Sequence, residues 1–175
     1  MMRTFKNISE VPLPAGLSGV VQEKAYRSWL EGRAKSLCAR DRNAGIVSET
    51  LKSIDYYGPI HRAVERAIIE GDFYTGEEIA WKKLGTLKSG SERIGDYPSV
   101  DHVAQRKPKK DKEPPEEVPV VVICREDTNK MKTDLSIESL RCKVTRMRKR
   151  GIRSTEDALL KAETNDGPEM PGVVL

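Results

Sequence analysis

The chain is predicted to be an α+β protein, with an N-terminal helical segment packed on a C-terminal core of two strands and a helix. Three observations predict it. Apolar residues recur at three- and four-residue steps through much of the first seventy positions. Two short apolar segments follow, at 99–105 and 118–124, separated by a stretch without one apolar residue. A last stripe, Ile137, Leu140, Val144 and Met147, carries basic residues on its other faces.

In order, residues 1–20 hold Pro12, Pro14, Gly16 and Gly19 and read as an extended lead-in. Residues 21–71 read as the helical segment. Within it, Ala25, Tyr26, Trp29, Leu30, Ala34 and Leu37 mark one buried stripe over 22–38. Ser48 is placed to cap a short helix through Leu51 and Ile54. Pro59 opens a further helix with a stripe of Ile60, Ala63, Val64, Ala67 and Ile68, which Gly71 stops.

Residues 72–150 form the predicted core. The aromatics around Thr75-Gly76 suggest a tight loop or short hairpin, and 88–96 reads as a surface loop. Residues 99–105 and 118–124 are the strands, with Pro119 placing the second at an edge or at its own start. The segment 105–117, all polar, charged or proline, is expected to be a mobile, solvated loop. Ser136 is placed to cap the helix that follows. Residues 151–163 contain a last short helix opening at Ser154, and 164–175 read as a flexible tail.

Charged residues make up 33% of the chain against 37% apolar, which puts it on the polar side of globular proteins. The net charge of +4 is modest but uneven, because Arg141, Lys143, Arg146, Arg148, Lys149, Arg150 and Arg153 crowd one region. Such a patch attracts phosphates. Equally, it suits a solvated helix face. Cys38, Cys124 and Cys142 are odd in number, widely spaced and free of any CxxC pair. Neither a disulfide framework nor a complete structural zinc site is implied, which fits a reducing, cytoplasmic compartment. The first residues hold no apolar leader, and no apolar run is long enough to span a bilayer, so no membrane association is expected.

Two segments carry chemistry. Tyr97-Pro-Ser-Val-Asp101-His102-Val103 offers a carboxylate and an imidazole at the end of a short strand. Cys124-Arg-Glu-Asp-Thr-Asn129-Lys-Met-Lys132-Thr-Asp134 supplies an amide, an ammonium and another carboxylate. A strand bearing Asp-His, a second strand and a helix opening with Asn resembles the HNH (His-Me finger, ββα-metal) endonuclease superfamily. The resemblance covers residues 73–148.

The resemblance implies a divalent-metal-dependent endonuclease. His102 would take a proton from water, and Asp101 and Asn129 would hold Mg²⁺ or Mn²⁺, with Asp134 an alternative ligand. Lys132 would neutralise a nonbridging phosphate oxygen. The products would be 5′-phosphate and 3′-hydroxyl ends. DNA would be held mainly through its phosphates, and RNA offers the same contacts. Lys107, Lys109 and Lys110 of the charged loop and Arg141, Lys143, Arg146, Arg148, Lys149 and Arg150 of the basic helix would make those contacts.

The chain departs from the family pattern twice. Where many members bind a structural zinc with two CxxC knuckles, Tyr74-Thr-Gly-Glu77 stands in the first. Only Cys124 remains of the second, with Thr128 in its partner's place. No structural zinc is expected, with packing of Phe73, Tyr74 and Trp81 in its stead. The family's middle Asn, which helps orient the His, would fall near Val120. Either a backbone carbonyl takes that role or catalysis is impaired. His61 is set aside, for want of an acidic or cysteine neighbour at ligand spacing. Arg40-Asp41-Arg42 reads as a charge cluster at a helix end that could face phosphates. Two other functions stand beside the nuclease: a non-catalytic nucleic-acid-binding protein on a degenerate finger, and a helical interaction module.

Overall fold

The computed structural model describes residues 5–84, 95–103, 114–130 and 137–163, with the side chains of 137–141 and 155 outside the described set. The helices are α1 (Glu23–Asn43), α2 (Tyr57–Glu70), the single turn α3 (Glu126–Asn129), α4 (Ile137–Lys149) and α5 (Thr155–Glu163). Strands β1 (Pro98–His102) and β2 (Val121–Arg125) fall between α2 and α3 and pair antiparallel. The class is therefore helices combined with a small antiparallel sheet. Among the described residues, no helix is long and apolar enough to cross a membrane.

Helix α1 buries Tyr26, Trp29, Leu30, Ala34, Leu37, Cys38 and Asp41 along one face. It runs five residues past Cys38, because no glycine or proline intervenes before Gly45. Arg40 and Arg42 in its last turn suit the negative end of the helix dipole. Gly45 (φ 63°) then reverses the chain, and the Ile46 amide donates to the Asp41 carbonyl at 2.8 Å.

The lead-in is not simply extended. It makes two 3-10 turns, Ile8–Glu10 and Ala15–Leu17, and buries Val11 and Leu17 fully. The Arg27 guanidinium holds it by donating to the Val11 carbonyl at 2.9 Å. The helix expected from Ser48 shrinks to a 3-10 turn, Ser53–Tyr56, that runs straight into α2. Pro59 falls inside the first turn of α2, where its missing N–H is harmless. Gly71 does stop α2, at φ 76°; a side chain there would bring its Cβ to 2.6 Å from the Glu77 carbonyl.

No hairpin forms after Gly71. Instead the buried Asp72 carboxylate organises the turn. One oxygen accepts from the Tyr74 and Thr75 amides at 2.9 and 2.8 Å, and the other from the Arg125 amide at 2.7 Å. The Phe73 amide adds a bond to the Ile123 carbonyl at 3.1 Å. The turn is thereby fastened to the end of β2. Trp81 does not join Phe73 and Tyr74; it meets Trp29 of α1 edge to face at 6.4 Å.

The second strand starts at Val121, later than expected, since Pro119 cannot donate to a ladder. In the sheet, Val100 pairs with Ile123 and His102 with Val121 on one face, while Ser99 pairs with Cys124 and Asp101 with Val122 on the other. Val100, Val121 and Ile123 join the main core with α1 and α2. Val122 joins a smaller cluster with Phe73, Ile152 and Ala158, flanked by Tyr74, Val103 and Met147. Ser154 opens α5 as expected: its hydroxyl accepts from the Asp157 amide, and Asp157 accepts back from the Arg153 and Ser154 amides. The surface loop of 88–96 is described only over 95–96. The helix cap Ser136 and the tail from 164 lie outside the described residues, as do 105–113 of the charged loop.

Asp72→Ala removes one acceptor from three backbone amides. It should lower stability by about 3 kcal/mol in denaturant unfolding, whereas loss under about 0.5 kcal/mol would mean the turn holds without it.

Candidate functional site

Asp101 and His102 are neighbours on β1, and strand alternation sends their side chains to opposite faces of the sheet. His102 is only 5% exposed and faces α1. Its Nδ1 accepts from the Arg40 guanidinium at 2.7 Å. Its Nε2 lies 3.2 Å from the Asp41 carboxylate, short in distance but without the alignment of a full hydrogen bond. Asp41 is fully buried, and the same oxygen accepts from the Tyr56 hydroxyl at 2.7 Å. Burial pushes the Asp41 carboxyl up, but His102, Tyr56 and the charge of Arg40 outweigh it and hold it below the ordinary carboxylate range. Burial and the Asp41 carboxylate push the Tyr56 hydroxyl far up, so it stays a donor.

On the opposite face, Asp101 accepts from the Tyr74 hydroxyl at 2.8 Å. Burial, then the adjacent Asp101 charge, keeps that phenol protonated. Asn129 ends α3, and its amide nitrogen donates to Ser99 Oγ at 2.8 Å and toward the Val100 carbonyl at 3.5 Å. Ser99 is one same-face step from Asp101, roughly 7 Å along the strand. The Val100 carbonyl only accepts, so this contact fixes the amide with its nitrogen inward and its oxygen on the other side.

Asp101 and the Asn129 carbonyl oxygen are hard oxygen donors. Among the described residues no three His, Cys, Asp or Glu side chains converge on one point. A Mg²⁺-type ion needs no such cage, because it keeps most of its waters and takes one or two protein oxygens with the substrate phosphate. The donor set fits such an ion. Cys124 is fully buried, and burial pushes its thiol well up.

Glu77 and Thr128, two of the positions that the resemblance would give to zinc knuckles, belong to an ion cluster. The Lys143 ammonium, on a side chain only 7% exposed, donates to Thr128 Oγ1 at 2.8 Å. It also lies 3.3 Å from Asp127 and 3.4 Å from Glu77. Glu77 further pairs with Arg125 at 3.3 Å and with Arg146, and accepts from the Thr75 hydroxyl at 2.9 Å. Burial raises the Glu77 carboxyl, but Thr75 and the three cations outweigh it and hold it below the ordinary range. The cluster ties the 72–77 turn, the end of β2 and α4 together.

Lys143 is thus turned inward, away from any phosphate. Arg150 is also engaged within the protein, 3.2 Å from Glu70. Arg146, half exposed, pairs with Glu77, while Arg148, Lys149 and Arg153 are exposed. Lys132, Asp134, Lys107, Lys109 and Lys110 lie outside the described residues, as does the Arg141 side chain. His61 does have an acidic neighbour one helical turn on: its Nε2 is 3.4 Å from Glu65, and its Nδ1 is joined to the Tyr26 hydroxyl at 2.7 Å. It is a core histidine.

Asp41 and Asp72 carry structure that sequence reasoning missed. A signal existed for the first, since Asp41 continues the Leu30, Ala34, Leu37 stripe of α1 and therefore had to be buried. Nothing comparable marked Asp72, whose partners come from a turn and a distant strand. No protein-family model, curated protein or solved structure matches the chain.

Two outcomes are expected. Lys143→Ala removes the buried ammonium that joins Glu77, Asp127 and Thr128, leaving Arg125 to both carboxylates, and should cost about 2 kcal/mol by thermal or chemical unfolding. Glu77 contributes stability that is present above its unfolded value near ~4.3 and is lost as pH falls through its lower folded value. Glu77→Gln should therefore melt below wild type at pH 7, by about 1 kcal/mol, and the two melts should converge under acid. A gap that persists at pH 2 would contradict the ion cluster.

Proposed function

We propose that this protein is a divalent-metal-dependent endonuclease acting on DNA, with a degenerate HNH-like finger as its core. What supports the reading most is the placement of Asp101 and Asn129 on one face of the sheet, with the Asn129 amide oxygen left facing away from its Ser99 and Val100 contacts. The order β1, β2, helix fits the resemblance, although Asn129 ends the single turn α3 and does not open a helix.

Asp101 and Asn129 would hold the cation. Bound there, it would supply polarisation of a phosphoryl group and stabilisation of charge on the departing oxygen. The protein's own part is to hold and move a proton. His102 takes a proton from water, the water oxygen bonds to phosphorus and the bond from phosphorus to the 3′-oxygen breaks. The 3′-oxygen gains a proton from solvent, which leaves 5′-phosphate and 3′-hydroxyl ends. Arg148, Lys149 and Arg153, exposed at the end of α4 and beyond it, would hold the duplex through its phosphates.

A second reading, a nucleic-acid-binding protein without catalysis, is favoured by one observation. His102 is buried and both its ring nitrogens face groups of α1. Plasmid nicking separates the two. Wild type should nick with Mg²⁺ or Mn²⁺ and not with EDTA, and His102→Ala should not nick while still binding DNA. Cleavage equal in both proteins, or none in wild type, would leave the binding protein.

The duplex contacts have their own test. Arg148→Ala with Lys149→Ala should weaken DNA binding and lower the salt slope by about 2, with the melting temperature unmoved. An unchanged slope would place the duplex elsewhere.

A further inference from the structure

This inference rests on the metal-binding part of the endonuclease reading and deepens it: we infer that Tyr74, from the turn after α2, is the positioning residue that holds the Asp101 carboxylate ready for a divalent cation. The contact that carries it is the hydrogen bond from the Tyr74 hydroxyl to Asp101 Oδ2 at 2.8 Å.

The two proposed ligands are steadied in different ways. Asn129 is fixed from its own side, since its nitrogen donates to Ser99 Oγ at 2.8 Å and its oxygen is left over. Asp101 stands one residue from the end of β1, opposite Val122, whose side chain offers no polar group. On a strand such a side chain has more than one open rotamer. Among the described residues, the hydrogen bond its carboxylate makes is the one from Tyr74. A carboxylate that holds a cation only accepts, so the phenol is the donor and its O–H is spent on Oδ2. Oδ1 is left for the ion.

The hydroxyl can act in this way because its ring is held. Asp72 fixes the turn through the Tyr74 and Thr75 amides at 2.9 and 2.8 Å, and ties it to β2 through the Arg125 amide at 2.7 Å. The Tyr74 ring meets Phe73 edge to face at 5.1 Å and packs on the cluster of Phe73, Val122, Ile152 and Ala158. A ligand already held in place loses little freedom when the ion binds. Partners of this kind orient the ligand they touch, and losing one typically costs about 10- to 100-fold in metal affinity.

Removing the hydroxyl alone tests the role. Tyr74→Phe keeps the ring and its packing. Asp101 is half-buried, so water reaches the freed oxygen and the fold is kept. A melt in EDTA checks that the variant is folded. Mn²⁺ is titrated into the full chain without DNA, so nothing is cut, and free Mn²⁺ is followed by electron paramagnetic resonance. Three-bond couplings of the Asp101 side chain, measured without metal, read whether one rotamer is held.

Wild type should bind one ion, Tyr74→Phe should bind it at least about tenfold more weakly, and Asp101→Ala should lose it. The couplings should change from those of one rotamer to an average in Tyr74→Phe. Equal Mn²⁺ affinity in wild type and folded Tyr74→Phe would overturn the positioning role and leave the ion site standing. Unchanged couplings would do the same. A wild type that binds no ion would overturn the metal reading instead, and the couplings would still decide whether Tyr74 holds Asp101.

Discussion

Among the described residues the sheet has two strands, and neither of its faces is left to solvent. That constraint shapes the rest of the molecule. A lone pair of strands is marginal in water, so β1 and β2 persist because α1 and α2 cover one face while Phe73, Ile152 and α5 cover the other. Alternation then delivers polar side chains to both faces, and each has to find a partner inside the protein. His102 finds Asp41 and Arg40, Asp101 finds Tyr74, and Ser99 finds Asn129. The site groups thus sit where the packing of the sheet places them.

A second consequence concerns how the turn after Gly71 is held. Glu77 of that turn and Thr128 of α3 both meet the Lys143 ammonium. The monovalent charge of a lysine does the joining, reinforced by Arg125 and Arg146 and by the three amides on Asp72. A basic residue used in this way is withdrawn from the nucleic-acid surface. The count of basic residues in α4 therefore overstates its reach toward phosphate.

Periodicity made the helices legible. The stripes of α1 and α2 were plain, as were the stop at Gly71 and the opening of α5 at Ser154, since these depend on neighbours in sequence. The strands were placed within a few residues, and Pro119 set the discrepancy. Charged side chains were harder. Lys143 looks like any other residue of a basic run until Thr128, Asp127 and Glu77 are brought around it. Asp41 looked like part of a helix-end charge cluster because its burial depends on α1 running to Asn43. Adjacent residues on a strand also cannot share a face, so Asp101 and His102, neighbours in sequence, occupy two environments.

The central claim is that Asp101 and Asn129, on one face of the sheet, hold a divalent cation. The most direct measurement is Mn²⁺ binding followed by electron paramagnetic resonance, made on His102→Ala protein with duplex DNA so that nothing is cut. The account predicts one ion bound per chain and its loss in the Asp101→Ala, His102→Ala double variant. No bound ion, or binding unaltered by Asp101→Ala, would contradict it.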